Sequence, residues 1–223
     1  MTGYWRKVWA IVHKDLRIEL RSRDVLSSVI VFTLLVLLIF NFALDLTGAV
    51  VAAVAPGILW VTFIFAGMLM LGRTFARERE GGALSGLLLA PLDRGGLYLA
   101  KLLVNLALLA LVEVCALPAF AALYNLAPAP GRVALVALLG TLGFAGVGTL
   151  FAAVAANTRA REALLPLLLF PVLVPVIIGA VKATGATLAS AAPGGPPWLG
   201  LLAAFDAIFL ALSYAVFEYV LEE

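Results

Sequence analysis

Charge is almost absent from six long stretches of this sequence, and nothing else in the chain constrains the fold as strongly. They run from about Val25 to Leu46, Ala55 to Gly72, Leu97 to Tyr124, Val133 to Ala156, Ala163 to Val181 and Trp198 to Val220. A helix needs about 20 predominantly apolar residues to cross a hydrocarbon layer of ~30 Å, and each stretch is close to that length or longer. The chain has 223 residues, of which 64% are hydrophobic and 13% charged. Soluble domains hold about 45–50% and about 25%, so this chain cannot hide its apolar surface from water. The expected fold is all-α: an integral membrane protein with six transmembrane helices. The third stretch exceeds the crossing length, so it tilts or extends past the bilayer. No hydrophilic block is long enough to fold alone, and residues 1–223 read as a single transmembrane domain. The N-terminus lacks the charged, apolar and small-residue pattern of a signal peptide.

Residues Tyr4 to Arg23 have a different pattern. Trp5, Val8, Trp9, Val12, Leu16 and Leu20 recur at three- and four-residue steps, which predicts an amphipathic helix. Lys7, Lys14 and Arg21 fall opposite, flanked by Arg6, His13 and Arg17. Tryptophan on the apolar side and cations on the other describe a helix lying in the membrane interface. Ile11 and Ile18 land beside Lys7 and Lys14 on the wet side, either as tolerated surface residues or as a strip that holds a partner protein. Lysine and arginine also set the orientation. Six lie in this helix, five at Arg73, Arg77, Arg79, Arg94 and Lys101, and two at Arg159 and Arg161. With six spans these thirteen share one side, leaving Arg132 and Lys182 on the other. The positive-inside rule then places both termini in the cytoplasm.

The densest charge lies between the second and third spans. Arg73, Arg77, Glu78, Arg79 and Glu80 precede Gly81-Gly82, which breaks the helix. Ala83 to Ala90 has room for two further turns before Pro91. The segment Arg73–Gly96 is therefore either a solvated cytoplasmic loop or a hinged lever on which another protein pushes.

Catalytic signatures are missing from the sequence. It has no G-x-x-x-x-G-K-[ST] phosphate loop, no H-E-x-x-H and no G-x-S-x-G. His13 is the single histidine and Cys115 the single cysteine, so neither a histidine metal pair nor a disulfide framework is available. Three acids fall in spans. Asp45 lies near the end of the first, Asp206 in the sixth, and Glu113 near the middle of the third. A carboxylate there costs about 2.5–3.5 kcal/mol on insertion scales for Asp, so Glu113 is a functional candidate by default. Its structural alternatives are a neutral acid hydrogen-bonded to Asn105 on its own helix or to a group on another span, and an acid that snorkels to the interface. Trp60 and Trp198 read as interface anchors. Met68, Met70 and Cys115 read as helix-packing residues, and Pro166, Pro171 and Pro175 as kinks or a hinge in the fifth span. Gly140, Gly143, Gly146 and Gly148 predict close packing of the fourth.

Several segments together resemble a known family. Ala55-Pro56-Gly57-Ile58-Leu59-Trp60 opens the second span. Arg77-Glu78-Arg79-Glu80-Gly81-Gly82-Ala83-Leu84 and Leu87-Leu88-Leu89-Ala90-Pro91-Leu92 follow, then Ala100-Lys101. Leu169-Phe170-Pro171-Val172-Leu173-Val174-Pro175-Val176 comes later. The chain resembles the CcmB, or haem exporter protein B, family over nearly its whole length. Ser85-Gly86 departs from the acidic–polar pair usual there. The resemblance implies an ABC-2-like permease domain in the bacterial inner membrane, acting in cytochrome c biogenesis. It implies a separate cytoplasmic ABC ATPase subunit that binds ATP, and a haem-handling membrane subunit. A second copy of the chain is a further candidate partner, and no nucleic acid is implied. The complex would couple ATP hydrolysis to haem delivery or to release of a haem-loaded chaperone. Arg77, Glu78, Arg79, Glu80, Gly81, Gly82, Leu84 and Leu87 would couple to the ATPase, beside Trp5, Trp9, Ile11 and Ile18 of the interfacial helix. No catalytic residue, metal or cofactor is expected on this chain itself. Haem iron usually takes His, Met, Cys or Tyr ligands; His13 lies on the cytoplasmic helix, packing explains Met68, Met70 and Cys115, and Tyr124 near the outer side is a lone tyrosine. The alternatives are an ABC-2 permease for a drug, lipid or polysaccharide, and a membrane enzyme or channel using Glu113.

Overall fold

The computed structural model describes residues 2–22, 24–44, 49–75, 93–126, 130–156, 158, 160–188 and 197–220. Among these residues there are seven helices and no strand: α1 (Thr2–Ser22), α2 (Asp24–Ala43), α3 (Ala49–Thr74), α4 (Arg94–Leu123), α5 (Pro130–Ala156), α6 (Arg161–Leu188) and α7 (Trp198–Val220). Helices α2 to α7 are the six long and apolar enough to cross a membrane. They alternate in direction. Asn41 near the end of α2 donates to Leu123 O at the end of α4 (2.7 Å), while Arg94 at the start of α4 donates to Glu218 O near the end of α7 (3.0 Å). The chain therefore has an end where α1 lies and an opposite end where α2 stops.

Helix α5 is central and packs on α3, α4, α6 and α7. Its glycines make that possible. A methyl at Gly140 or Gly148 would collide with Trp60 or Leu71 of α3. One at Gly143 would lie 2.5 Å from Asp206 Oδ1, and one at Gly146 2.6 Å from Leu210 Cδ2, both on α7. Two glycines thus seat α3 and two seat α7. Phe144, Ala145 and Val147 between them, and Leu150 just beyond, are buried. Apolar side chains gain little by leaving lipid for one another, so this close approach is what holds the bundle.

Helix ends follow local chemistry. α4 starts at Arg94, three residues before the expected Leu97, because the Asp93 side chain accepts from Gly96 N at 3.2 Å as an N-cap. It ends in a Schellman turn. Leu126 N donates to Ala121 O (3.0 Å), and Asn125 takes φ 49°, a left-handed conformation that asparagine tolerates. Tyr124 beside it donates to Leu37 O of α2 (3.0 Å). α5 starts at Pro130, a residue suited to the first helical position.

Three expectations need correction. Trp60 is not an interface anchor: it is buried, lies over Gly140, and its Nε1 donates to Thr184 Oγ1 of α6 (2.9 Å). The fifth span does not end near Val181 but continues to Leu188, because Thr184 is satisfied by Trp60 and Thr187 donates to Ala183 O (2.8 Å). It also runs as one helix through Pro166, Pro171 and Pro175, the latter two on its exposed side. Cys115 is exposed on α4 rather than packed between helices. Asp45 falls outside the described residues.

The glycine seats give a direct test. Helical Gly→Ala normally stabilises by ~1 kcal/mol. Gly72→Ala, which meets open space, should follow that rule. Gly140→Ala and Gly148→Ala should instead lower the unfolding midpoint of the detergent-solubilised protein, by the ~1–3 kcal/mol typical of overpacking. Equal midpoints for all three variants would refute the central position of α5.

Candidate functional site

The charged segment between α3 and α4 falls largely outside the described residues, including Arg77, Glu78, Arg79, Glu80, Gly81, Gly82, Leu84 and Leu87. Its two attachment points are described, and both rest on a built platform. On the α3 side, Thr74 Oγ1 donates to Asn105 Oδ1 (2.9 Å), and Asn105 Nδ2 donates to Thr149 Oγ1 (2.9 Å), which donates to Ala145 O (2.7 Å). This relay joins α3, α4 and α5. Phe75 next to it is buried, packs against the Phe217 ring of α7, and lies 5.5 Å below the Lys101 amine. On the α4 side the attachment is the Asp93 cap. The described residues that flank the segment, at the ends of α3 and α4, are thus held by hydrogen bonds.

Helix α1 lies against that platform. Val8 and Val12 are buried, and Tyr4, Ile11 and Leu16 pack half-buried on the same core. Ile11 is thus not on the wet side, as its spacing had implied. The helix is rotated so that Tyr4, Val8, Ile11, Val12 and Asp15 share its inner face. Asp15 provides the polar lock. Its carboxylate takes the Lys101 amine at 2.8 Å and the Lys14 amine at 2.9 Å. Lys101 is only 3% exposed. An ammonium that deep requires a carboxylate partner, and removing either member would leave a buried charge unpaired. The sequence pattern placed Lys101 among the flanking cations of the loop. What identifies it is its position two turns inside an apolar helix. Trp5 and Trp9 are 50% and 59% exposed and project outward beside Leu20, leaving an apolar strip on the outer flank of α1. Ile18 is also exposed, at the edge of a cleft between α1, α3 and α4.

Glu113 lies deep in α4. The Thr141 hydroxyl of α5 donates to its Oε1. Asn105, the other candidate, is engaged with Thr74 and Thr149 two turns away. Glu113 borders a cavity of about 20 Å³ with Trp60, Phe63, Gly140, Thr141 and Phe144, room for about one water. Asp206 of α7 is also buried, at 4% exposed, and neither carboxyl oxygen has a hydrogen-bond partner among the described residues. Thr141 and Gly143 are two residues apart on α5, so the two acids lie on different sides of that helix rather than in one site. Among the described residues no three His, Cys, Asp or Glu side chains converge as a metal site. The chemistry this arrangement supports is hydrogen bonding by an isolated acid.

That role separates two substitutions. Glu113→Gln keeps an acceptor for Thr141, whereas Glu113→Ala leaves the buried hydroxyl to fall back on its own helix. The Ala variant should lose ~1–3 kcal/mol of stability, read as a lower unfolding midpoint in detergent, and Gln should lose less. A Gln variant with normal midpoint but no activity would assign Glu113 a charge-dependent role instead.

Comparison with known proteins fits this arrangement. Residues 6–221, from the first turns of α1 to the end of α7, match the family model described as CcmB protein. Heme exporter protein B of Paracoccus denitrificans is 34% identical over 208 residues, covering 92% of this chain and 93% of its own length. The protein of the same name from Rhodobacter capsulatus is 34% identical over 171 residues, covering 76% of this chain and 78% of its own. That of Bradyrhizobium diazoefficiens is 30% identical over 208 residues, with 92% of each covered. With the matched region taking in most of α1 and all of α2 to α7, the chain belongs to the CcmB protein family.

Proposed function

We propose that this chain is the permease subunit of a haem-exporter ABC complex in the bacterial inner membrane, acting in cytochrome c biogenesis. Similarity to proteins named heme exporter protein B over more than nine-tenths of the chain carries this reading. An ABC-2 permease for a drug, lipid or polysaccharide has no comparable observation in its favour. The sequence has no phosphate loop, so ATP belongs to a separate cytoplasmic ATPase subunit. In this reading both termini and Arg73–Gly96 face the cytoplasm, as the lysine and arginine distribution requires.

Coupling then has a physical route. Glu78, Glu80 and the Ala83–Leu89 segment contact the ATPase, and the pull reaches α3 at Phe75 and α4 at Asp93. The Thr74–Asn105–Thr149 relay passes it to α5, and the Asp15–Lys101 pair passes it to α1. Helix α1 lies beside the ATPase with Ile18 on its exposed side. Haem itself is handled by a partner membrane subunit, and the work done here delivers haem or frees a haem-loaded chaperone. The chain is a transporter subunit without chemistry of its own.

Two experiments test this. In a Cys115→Ala background, single cysteines at Ser85 and Ser190 should react with membrane-impermeant reagents from opposite sides. Reaction of both from the periplasm would overturn the orientation. In the assembled complex, Glu78→Lys/Glu80→Lys should reduce substrate-stimulated ATP hydrolysis and cytochrome c yield with membrane insertion intact. Wild-type values would make the segment a solvated loop.

A further inference from the structure

A cleft of about 180 Å³ opens where α1 crosses the ends of α3 and α4. Three cations line it, Lys14, Arg73 and Lys101, against two carboxylates, Asp15 and Glu19. Asp15 is shared between Lys14 and Lys101, and Arg73 is exposed without an ion pair to a described residue. The rim therefore carries excess positive charge around a lysine amine that is itself nine-tenths buried.

The floor is mostly apolar, with Thr74 and Asn105 already paired to each other. Met70 lies three residues below Arg73 on α3, and Val104 and Leu108 lie one and two turns below Lys101 on α4; all three line the cleft. At ~1.5 Å per residue, the lining passes from cationic to apolar over about 10 Å along the helix axes. Phosphate and acyl chain are separated on the same scale in a phospholipid. The depth also agrees. Exposed Trp5 and Trp9 on the outer flank of α1 hold that helix at the level of lipid head groups, which puts the rim at the level of the phosphates.

The geometry points to this cleft as a binding site for one anionic phospholipid. Its phosphate lies against Arg73 and Lys101, and its upper acyl chain runs along Met70, Val104 and Leu108. A soluble phosphate ester would satisfy the rim but not the floor, and a zwitterionic lipid would satisfy the floor but bring no net charge to the rim. Bound there, the lipid bridges α1 to α3 and α4 at the junction locked by Asp15 and Lys101. Its occupancy would therefore stiffen the joint between α1 and the spans.

The test uses the full chain in mixed micelles containing equal amounts of phosphatidylglycerol and phosphatidylcholine. Retained lipid is counted by native mass spectrometry, and unfolding midpoints are measured in parallel. The wild type should retain one phosphatidylglycerol in preference to phosphatidylcholine and gain stability from it. Arg73→Gln should cut that preference about fivefold, the effect of one interfacial cation. Its lipid-free midpoint should not change, because Arg73 is exposed. Lys14→Gln offers a second variant at the rim and should act in the same direction. Equal retention of both lipids by the wild type would overturn the proposal, as would an undiminished preference in both variants. A midpoint gain from inorganic phosphate matching that from phosphatidylglycerol would also overturn it, by marking a soluble-anion site.

Discussion

Helices surrounded by hydrocarbon gain little from burying apolar side chains against one another, because the lipid is equally apolar. What remains is contact: backbones that approach closely enough for dispersion to accumulate, and polar groups that find no better partner elsewhere. In this protein both are concentrated on α5. Its glycines remove the Cβ atoms that would hold α3 and α7 away, and into the space come a tryptophan ring, two leucine side chains and a carboxyl group. The other spans take their positions from α5, except α2, which is tied to the bundle through Tyr124, Asn41 and the ends of α4.

Polar groups divide into two sets. Those inside the spans are isolated: Glu113 pairs with Thr141 and Trp60 with Thr184, each fixing a rotation angle between two helices, while Asp206 has no hydrogen-bond partner among the described residues. Those at the α1 end form two neighbouring clusters, Asp15 with Lys14 and Lys101, and Thr74 with Asn105 and Thr149. Shifting one member of either cluster would leave its neighbours without partners, so each holds the helices it joins in register.

The six spans and the amphipathic first helix were legible because they depend on length and hydropathy, which a sequence states directly. Rotation was not legible. Ile11 and Trp60 went to the wrong surroundings because periodicity defines a stripe but not which neighbour it faces. Both a lipid interface and a helix bundle accept the same apolar stripe. Glu113 was identified as unusual from its position, yet its partner was one of several hydroxyls on other spans, and choosing among them requires the packing that Gly140 permits. Lys101 was read by charge alone, though its placement within an apolar run already implied a buried carboxylate, and Asp15 lies on the correct face of α1 at a helical repeat from Val8 and Val12. The start of α4 was recoverable from Asp93 as a cap, three residues ahead of the first strongly apolar position.

The seating of α7 on α5 has a consequence for how the molecule is made. Spans enter the bilayer in the order of synthesis, so α5 arrives while two of its glycine seats still lack their occupants. Asp206 and Leu210 belong to the last helix to emerge. Until then α3, α4 and α6 already pack on α5, but its Gly143 and Gly146 seats lack the α7 side chains that fill them. A nascent chain interrupted before α7 is therefore not a smaller version of the fold but an open one. Its exposed glycine seam is available to membrane chaperones and to the proteases that clear unfinished chains.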